Sequence, residues 1–390
     1  MRLIDRMGPQ TLRLLALLIV LALVLGFFAT QIPNYLNGRL FNRISSAVAI
    51  MALIACGQTL VILTRNIDLS VGSIVGFVAY ATGMMIHQFP DMHPLLLVAF
   101  SMLLGGAFGA VNGVLVAYAR VPAIIVTLGT MAIFRSMLVE LADGSSINTS
   151  MLPTWLVNFP NQQLFVLGDL QFRAGFVTAL AVVVVAHVAL ARLRPARKLY
   201  AVGSNPEAAE MAGINTRATV FWAFVLAGAL TGLAGFMFLA RFGNITVVAG
   251  LGFELQSVAA AVVGGVNIFG GSGLVLGAFL GAVLVNVIDT SLVRWQLVTE
   301  FWREAVLGAL ILTSVAVDQV VMRRLTRLRR AGRSATPGAS ARPAPGASAP
   351  ALGGSSAPHG AHGSSASPGA TGSARSGSAN KGSDRQEGQR

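Results

Sequence analysis

The chain has 390 residues, of which 54% are hydrophobic and 11% are charged, and its mean hydropathy is +0.71. Soluble proteins carry about 25% charged residues, so this composition excludes an ordinary soluble domain and predicts a polytopic membrane protein. Most of the net charge of +13 lies in residues 323–390, which fits a basic cytoplasmic end better than a nucleic-acid surface, and we expect no nucleic-acid partner.

Ten apolar stretches are candidates for transmembrane helices. The first follows Arg2 and Arg6, a pattern shared by signal peptides and first spans, but it exceeds a signal core in length, which favours a span. The stretch 255–269 is short for a bilayer of about 30 Å. We therefore expect an all-α polytopic membrane protein with about ten transmembrane helices, in a range of eight to ten. The stretches are 12–29, 45–63, 70–88, 95–118, 123–141, 174–191, 218–240, 255–269, 273–291 and 304–321.

Charge places the ends of the chain. Basic segments at 192–217 and 323–333 belong on the cytoplasmic side, so both termini are expected to be cytoplasmic and 142–173 becomes the longest external connection. Residues 1–330 form the predicted transmembrane domain. Residues 331–390 are rich in Ala, Gly, Ser, Pro and Arg, cannot bury a core, and are predicted to be a disordered cytoplasmic tail.

The segment TRNIDLSVGS, residues 64–73, interrupts two apolar stretches with the polar residues Arg65, Asn66, Asp68 and Ser70. One interpretation, which we favour, places them at the cytoplasmic surface, where Asp68 and Ser70 cap the next helix. The other places them in a wet cavity, where Arg65 and Asp68 form a pair.

A second glycine-rich interruption, VGGVNIFGGSG at residues 263–273, has the same spacing as the first. Each contains an Asn-Ile pair, at Asn66 and Asn267, followed by glycines at equal distances. Matching interruptions in two halves are where transporters place their central pathway, although close helix packing also explains such glycines, and the two interpretations are compatible. The pathway candidates are Asn66, Asp68, Ser70, Asn112, Thr127 and Asn267.

The polar segment 192–217 separates two apolar halves and contains a predicted helix of about two turns. Asn205 is a suitable N-cap, Glu207 lies at the positive end of the helix dipole, and Gly213 is a natural stop. So short a helix is marginal alone in water, and its small apolar residues favour docking in a groove of another protein; an ordinary cytosolic connection is the alternative. The docking candidates are Gly203, Asn205, Glu207, Ala208, Ala209 and Gly213.

The pattern EAA-x-x-x-G in this helix is similar to the coupling segment of permease subunits in ATP-binding-cassette importers. TRNIDLSVGS resembles the TGGIDLSVGS signature of ribose-type permeases, with Arg65 and Asn66 in place of two glycines. The stretches around 111–131 and 254–273 resemble two further motifs of these carbohydrate permeases, the group for ribose, xylose, rhamnose and autoinducer-2. The resemblance covers about residues 42–321 and leaves the tail outside.

Several partners follow from this resemblance as expectations. The short helix is expected to couple to cytoplasmic ATP-binding-cassette ATPase subunits, which use ATP and Mg, while this chain binds no cofactor itself. An extracytoplasmic solute-binding protein would deliver a sugar to a pore formed with a second permease subunit, either an identical copy or a close paralogue. The expected location is the bacterial plasma (inner) membrane, in contact with lipid.

Other protein classes fit the sequence less well. A phosphate-binding loop needs Gly-Lys-Ser/Thr, and the lysines, Lys198 and Lys381, follow Arg and Asn. The histidines and Cys56 lack metal-ligand spacing, and no catalytic constellation is present, so we expect neither a metal site nor an enzyme.

An ion-gradient-driven secondary transporter of a small polar solute is the alternative function. Such proteins usually carry ionisable residues in the middle of their spans. Here the candidates fall near predicted span ends: Asp68, Arg135, Glu140 and Asp289.

Overall fold

The computed structural model describes residues 9–295 together with 302, 305–306, 308–309 and 312–313. The predicted tail, 331–390, and most of the last predicted span, 304–321, lie outside these residues.

Helices dominate this part of the chain. They are α1 (Pro9–Gln31), α2 (Gly38–Leu63), α3 (Val71–Gln88), α4 (Pro94–Ala117), α5 (Ala123–Ala142), α6 (Thr154–Asn158), α7 (Ala174–Arg192), α8 (Arg194–Ser204), α9 (Pro206–Met211), α10 (Thr216–Phe242), α11 (Phe253–Val263) and α12 (Val275–Trp295). Single 3-10 turns lie at Thr149–Met151 and Phe159–Asn161, and strands β1 (Gln163–Leu167) and β2 (Leu170–Arg173) form an antiparallel hairpin.

The predicted all-α polytopic class is confirmed. Within the described residues, seven helices are long and apolar enough to cross a membrane: α1, α2, α4, α5, α7, α10 and α12. Helix α3 has 18 residues but is not among them, since it contains several glycines and polar side chains. Within the predicted stretch 255–269 the helix ends at Val263, so α11 (Phe253–Val263) has only 11 residues.

Asparagine side chains cap the starts of two long helices, α2 and α10. Oδ1 of Asn37 accepts a hydrogen bond from N of Leu40 at 2.8 Å at the start of α2, and Oδ1 of Asn215 accepts one from N of Ala218 at 2.9 Å at the start of α10. Each bond satisfies a backbone donor that the first helical turn leaves free.

Helix α2 lies at the centre of the described structure, and 89% of the residues in its most apolar 18-residue stretch are buried. Helices α7, α10, α11 and α12 pack directly on it, α3 and α4 pack on α10, α5 packs on α3, and α1 packs on α12. The glycine-interrupted ends of α2 and α11 are consequently enclosed by other helices.

Close packing of α4 on α10 depends on glycines that face each other across the interface. A Cβ atom at Gly105 would clash with the backbone of Gly228 and Gly232, and one at Gly109 would clash with the carbonyl group of Phe224. The helix-packing interpretation of the spaced glycines is therefore correct for this pair of helices.

The two ends of α2 carry different structures. The β1–β2 hairpin, which the sequence did not predict within the 142–173 connection, places the backbone of Asp169 against Gly38 at the start of the helix. The end of α8 lies against Leu63 at the other end. A helix of 26 residues is about 39 Å long, so the hairpin and the basic segment lie at opposite ends of the central helix.

We expect Gly105→Ala to lower the melting temperature of the purified protein by several degrees, because overpacking a close interface costs about 1–3 kcal/mol. Gly106→Ala is the matched control, since its Cβ would meet neighbouring atoms at 3.7 Å, an ordinary contact distance. Thermal unfolding of both variants in detergent measures the difference. Equal melting temperatures would contradict the glycine-dependent interface.

Candidate functional site

The short helix α9 forms where the sequence predicts it. Oδ1 of Asn205 accepts a hydrogen bond from N of Ala208 at 3.1 Å, and Glu207 lies in the first turn. Gly213 has φ 77°, the left-handed conformation that glycine adopts readily after a helix. The predicted capped geometry is therefore present, and the coupling role of this helix stays a prediction.

Helix α9 presents one face away from the rest of the protein. Glu207 and Ala208 are exposed, and Met211 protrudes with 91% of its surface accessible. Ala209 is only 4% exposed because α9 packs on α8 and α10 through this side. Ala209 therefore does not lie on the exposed face, where Met211 is the protruding apolar side chain, and a docking role for this helix stays a prediction.

A longer helix precedes α9 and was missed in the sequence. Helix α8, Arg194–Ser204, buries Leu199 and Val202 while Arg194 and Lys198 stay exposed. Its signals are Pro195 in the first turn and a strongly one-sided distribution of apolar residues. The basic segment is thus a pair of short helices, and the first is attached to the membrane body.

Gly203, predicted as a docking residue, is buried at the end of α8. A Cβ atom there would clash with the carbonyl oxygen of Leu63 and the backbone of Gly271. Since only glycine allows this approach, the structure makes Gly203 a packing position rather than part of an exposed face.

The end of α8 joins both glycine-interrupted segments. Nε of Arg65 donates to O of Gly203 at 2.6 Å, and Nη2 donates to O of Ser204 at 2.7 Å. N of Gly271 donates to O of Leu63 at 3.0 Å. The two interruptions that the sequence pairs by spacing therefore contact each other, and the basic segment contacts both. We name residues 63–65, 203–204 and 270–271 the junction.

Tyr200 adds a second connection from α8. Its hydroxyl donates to O of Gly273 at 3.1 Å, and burial raises the pKa of Tyr200 above its ordinary value. The phenol thus remains protonated, and able to donate, throughout the physiological pH range.

A chain of buried polar side chains begins close to the junction. Oδ1 of Asp68 accepts from N and Oγ of Ser70 at 2.8 and 2.6 Å, and Nδ2 of Asn112 donates to Oγ of Ser70 at 2.8 Å. Oγ1 of Thr130 donates to Oδ1 of Asn112 at 2.7 Å. These four residues, each at most 4% exposed, form what we call the polar network, and they link the segment before α3 with α4 and α5.

The structure corrects both interpretations of residues 64–73. Asp68 is 1% exposed and therefore not at a surface, and Ser70 precedes α3 without forming a side-chain cap. Arg65 does not pair with Asp68 in the described structure, because its guanidinium group is directed to the end of α8. Asp68 instead accepts from Ser70, and its second carboxylate oxygen is buried without a hydrogen-bond partner.

The remaining pathway candidates lie around the network. Thr127, which lies in α5 one turn before Thr130, donates to O of Ile67 at 3.4 Å. The half-buried Asn66 bonds within its own turn to Thr64, and Asn267 accepts from N of Phe269. The structure therefore groups Asp68, Ser70 and Asn112 closely, with Thr127 beside them, and leaves Asn66 and Asn267 in their own turns.

Two members of this region were missed in the sequence. Thr130 lies three residues after Thr127, a spacing that places both on one helix face. Gln58 lies inside the apolar α2, and with its amide suitably oriented it pairs with the backbone N and O of Asp68 at 3.2 Å. A polar residue in an otherwise apolar span was the available signal in each case.

Arg135 lies about two turns before the end of α5, so its predicted place near a span end is wrong. Its Nη1 donates to O of Val247 at 2.8 Å and to O of Ala249 at 2.7 Å, within an irregular segment between α10 and α11. This arginine therefore satisfies backbone carbonyl groups freed by a helix break. Across the described residues, no group of three His, Cys, Asp or Glu side chains could hold a metal ion.

Comparisons with known proteins place the chain among permeases. Residues 40–315 match the model of the family described as branched-chain amino acid transport system / permease component. The autoinducer 2 import system permease protein LsrC of Escherichia coli O9:H4 is 35% identical over 334 residues, which are 84% of this chain and 93% of that protein. LsrC of Yersinia enterocolitica is 35% identical over 80% of this chain and 82% of its own length. No solved structure matches.

The family match covers well over half of the chain, and the relatives share more than 30% identity over most of it. Their names describe transport components, and permeases of such importers work with separate ATPase and solute-binding partners. The chain therefore belongs to this permease family, as a multi-pass inner-membrane permease component of an ATP-binding-cassette importer of the ribose and autoinducer-2 type, and it is a transport subunit rather than an enzyme.

Proposed function

We propose that the chain carries a monosaccharide or a related small polyol through the inner membrane in an ATP-driven, binding-protein-dependent importer. The observation that supports this most directly is the polar network, in which Ser70, Asn112 and Thr130 provide neutral hydroxyl and amide groups. Such groups both donate and accept, so they complement the hydroxyl groups of a sugar. A wholly aliphatic route would impose a desolvation cost of several kcal/mol on so polar a solute.

The network is buried in the described structure, and its bonds are satisfied among its own members apart from one oxygen of Asp68. A route past it therefore requires α3, α4 and α5 to separate. As they separate, the side chains that bond to each other become able to bond to a passing solute, and they regain their own bonds when the helices close. Because each bond to the solute replaces a bond between protein side chains, the net gain per bond is small, and the solute can pass without being bound tightly.

Autoinducer 2 is a second candidate substrate, because the relatives that cover most of this chain are autoinducer 2 import permeases. The two candidates are alternatives for one pathway and require the same partners. A direct comparison of uptake decides between them.

Coupling is proposed to pass through α9. Its exposed face, with Met211 as a protruding anchor and Glu207 in the first turn, has the form of a short helix that docks in a cleft of a cytoplasmic ATPase. That ATPase would use ATP and Mg, and this chain would bind neither. A solute-binding protein is proposed to deliver substrate at the opposite end of α2, near the 142–173 connection, and a second permease subunit, identical or paralogous, to complete the pore.

A transporter driven by an ion gradient is the competing function. Asp68 is buried and ionisable, which such a mechanism could use, but its carboxylate accepts two bonds from Ser70 and is held by the structure around it. Arg135 likewise bonds to backbone carbonyl groups rather than to a titratable side chain. The source of energy separates the two functions experimentally.

Proteoliposomes that contain the permease and its genomic neighbours, an ATPase and a binding protein, should import a labelled monosaccharide or autoinducer 2 only when ATP is supplied to the ATPase. A protonophore should leave uptake unchanged. Uptake that continues without ATP and stops with the protonophore would replace the proposed mechanism with the secondary one.

We expect Met211→Asp and Glu207→Lys each to lower co-purification of the ATPase at least tenfold, because the first removes the apolar anchor and the second reverses charge at the helix N-terminus. Permease levels in the membrane should be normal. Asp169→Lys is the control, a charge reversal at an exposed position at the other end of α2, and it should retain ATPase binding. Undiminished binding in both α9 variants would remove the coupling assignment.

Ser70→Ala should reduce uptake about tenfold in complexes that assemble normally, since it leaves the Asn112 amide and the Asp68 carboxylate with one fewer partner, at a cost of about 1–3 kcal/mol. Ser73→Ala is matched to it, because Ser73 is equally buried in α3 but bonds to O of Met131, outside the network. Transport assays normalised to ATPase-bound permease measure the effect. Equal activity of the two variants would show that the network is only a packing element.

A further inference from the structure

We propose that Arg65 is a positioning residue that makes the coupling segment, residues 194–213, and the helix interruption at residues 64–70 move as one body. This inference rests on the proposed function and assigns a role to a side chain that belongs to neither the docking face nor the polar network. Within the described residues, Arg65 is the side chain of this interruption that bonds to the coupling segment, through O of Gly203 and O of Ser204.

The first support is the chemistry of the contact. Gly203 and Ser204 end α8, and the carbonyl groups of a last helical turn have no partner within their helix. Arg65 supplies two donors in a fixed planar arrangement, at 2.6 and 2.7 Å, and its positive charge lies at the negative end of the helix dipole. Charge-assisted bonds of this kind are stronger than neutral ones and also fix direction.

The second support is the backbone of Arg65. Its φ is 67°, in the left-handed region that favours glycine, and the ribose-type signature that this segment resembles has a glycine at this position. A left-handed backbone costs a non-glycine residue about 1–2 kcal/mol. At Arg65 the side chain has contacts that offset this cost: its stem lies against Gly270, where a Cβ atom would come within 2.5 Å of Cγ of Arg65, and its guanidinium group binds α8.

The third support is what lies on either side of the contact. On one side, α8 leads directly through Asn205 into α9, the proposed docking helix. On the other, Arg65 is three residues from Asp68, where the polar network begins, and five from Ser70, which precedes α3. A shift of the end of α8 would therefore displace the start of the network through a few bonded residues.

Arg120 provides a matched comparison. It is also an arginine with left-handed backbone, at φ 59°, between α4 and α5. It is exposed, and within the described residues its side chain makes no hydrogen bond. Arg120→Gly removes the same side chain as Arg65→Gly, and it places glycine in the same left-handed backbone conformation. It differs in that it removes no contact to the coupling segment.

The test uses the reconstituted importer with Arg65→Gly, Arg65→Lys and Arg120→Gly. Glycine suits the left-handed backbone, so Arg65→Gly should reach the membrane and bind the ATPase within twofold of the unmodified protein. ATP hydrolysis should continue, while the number of solute molecules imported per ATP should fall at least tenfold. Arg65→Lys keeps the charge without the planar pair of donors and should give an intermediate ratio, and Arg120→Gly should match the unmodified protein.

A second readout does not depend on substrate. In a Cys56→Ser background with Asn267→Cys, the rate of labelling by a small thiol reagent should differ between the nucleotide-free and vanadate-trapped complexes. Arg65→Gly should abolish this difference, whereas Arg120→Gly should preserve it.

Three results would overturn the positioning role. One is an Arg65→Gly importer that moves as many solute molecules per ATP as the unmodified protein. Another is an Arg65→Gly complex in which the labelling rate changes between the nucleotide-free and vanadate-trapped states as much as it does in Arg120→Gly. Proportional losses of assembly, hydrolysis and uptake would instead assign Arg65 a purely structural role. Failure of the unmodified complex to import with ATP is a distinct outcome, because it would overturn the proposed function whatever Arg65 does.

Discussion

Backbone polar groups that a helix break sets free must find partners inside an otherwise apolar protein, and the architecture depends on how they do so. A buried carbonyl or amide group without a partner costs several kcal/mol in a hydrocarbon environment. At the end of α2, O of Leu63 accepts from N of Gly271, so two breaks satisfy each other. Arg65 satisfies the end of α8, and Arg135 satisfies the break between α10 and α11. Each break is thereby tied to a different part of the chain.

Glycine makes these connections possible because only a residue without a side chain lets two backbones approach so closely. Gly203 admits the backbone of Leu63 and Gly271, and Gly105 admits that of Gly228. The packing and pathway interpretations of the glycine-rich segments are therefore two aspects of one arrangement. Packed glycines bring the broken segments together, and the polar network begins at Asp68, three residues after Arg65 of the junction.

This arrangement explains how a protein with few charges can be driven by a partner that binds ATP. The polar network contains one ionisable group, Asp68, and otherwise neutral hydroxyl and amide groups. Arg65 and Arg135 bind backbone carbonyl groups at helix breaks rather than titratable side chains. Under the proposed coupling through α9, a force applied there has a bonded route through α8 and the junction.

Elements that depend on local chemistry could be predicted from the residues alone. Hydropathy fixed the long helices, because each must bury or present about 20 apolar residues, and the Asn205 cap with Gly213 fixed α9, because capping bonds and a left-handed turn involve only neighbouring residues. The repeated Asn-Ile spacing also identified the two breaks that meet.

Which of these residues face each other depends on how the helices pack. Nothing in the local sequence distinguishes Ala209 and Gly203 from their exposed neighbours. Gly203 is nevertheless buried against the end of α2, and Ala209 is buried where α9 packs on α8 and α10. Arg65 and Asp68, three residues apart, could have paired, but the guanidinium group instead binds carbonyl groups at the end of α8, 138 and 139 residues away in the chain. The bond of Thr130 to Asn112 and the pairing of Gln58 with the backbone of Asp68 arise in the same way. A hydrogen-bond partner across helices is set by how the helices pack, which the local sequence does not encode.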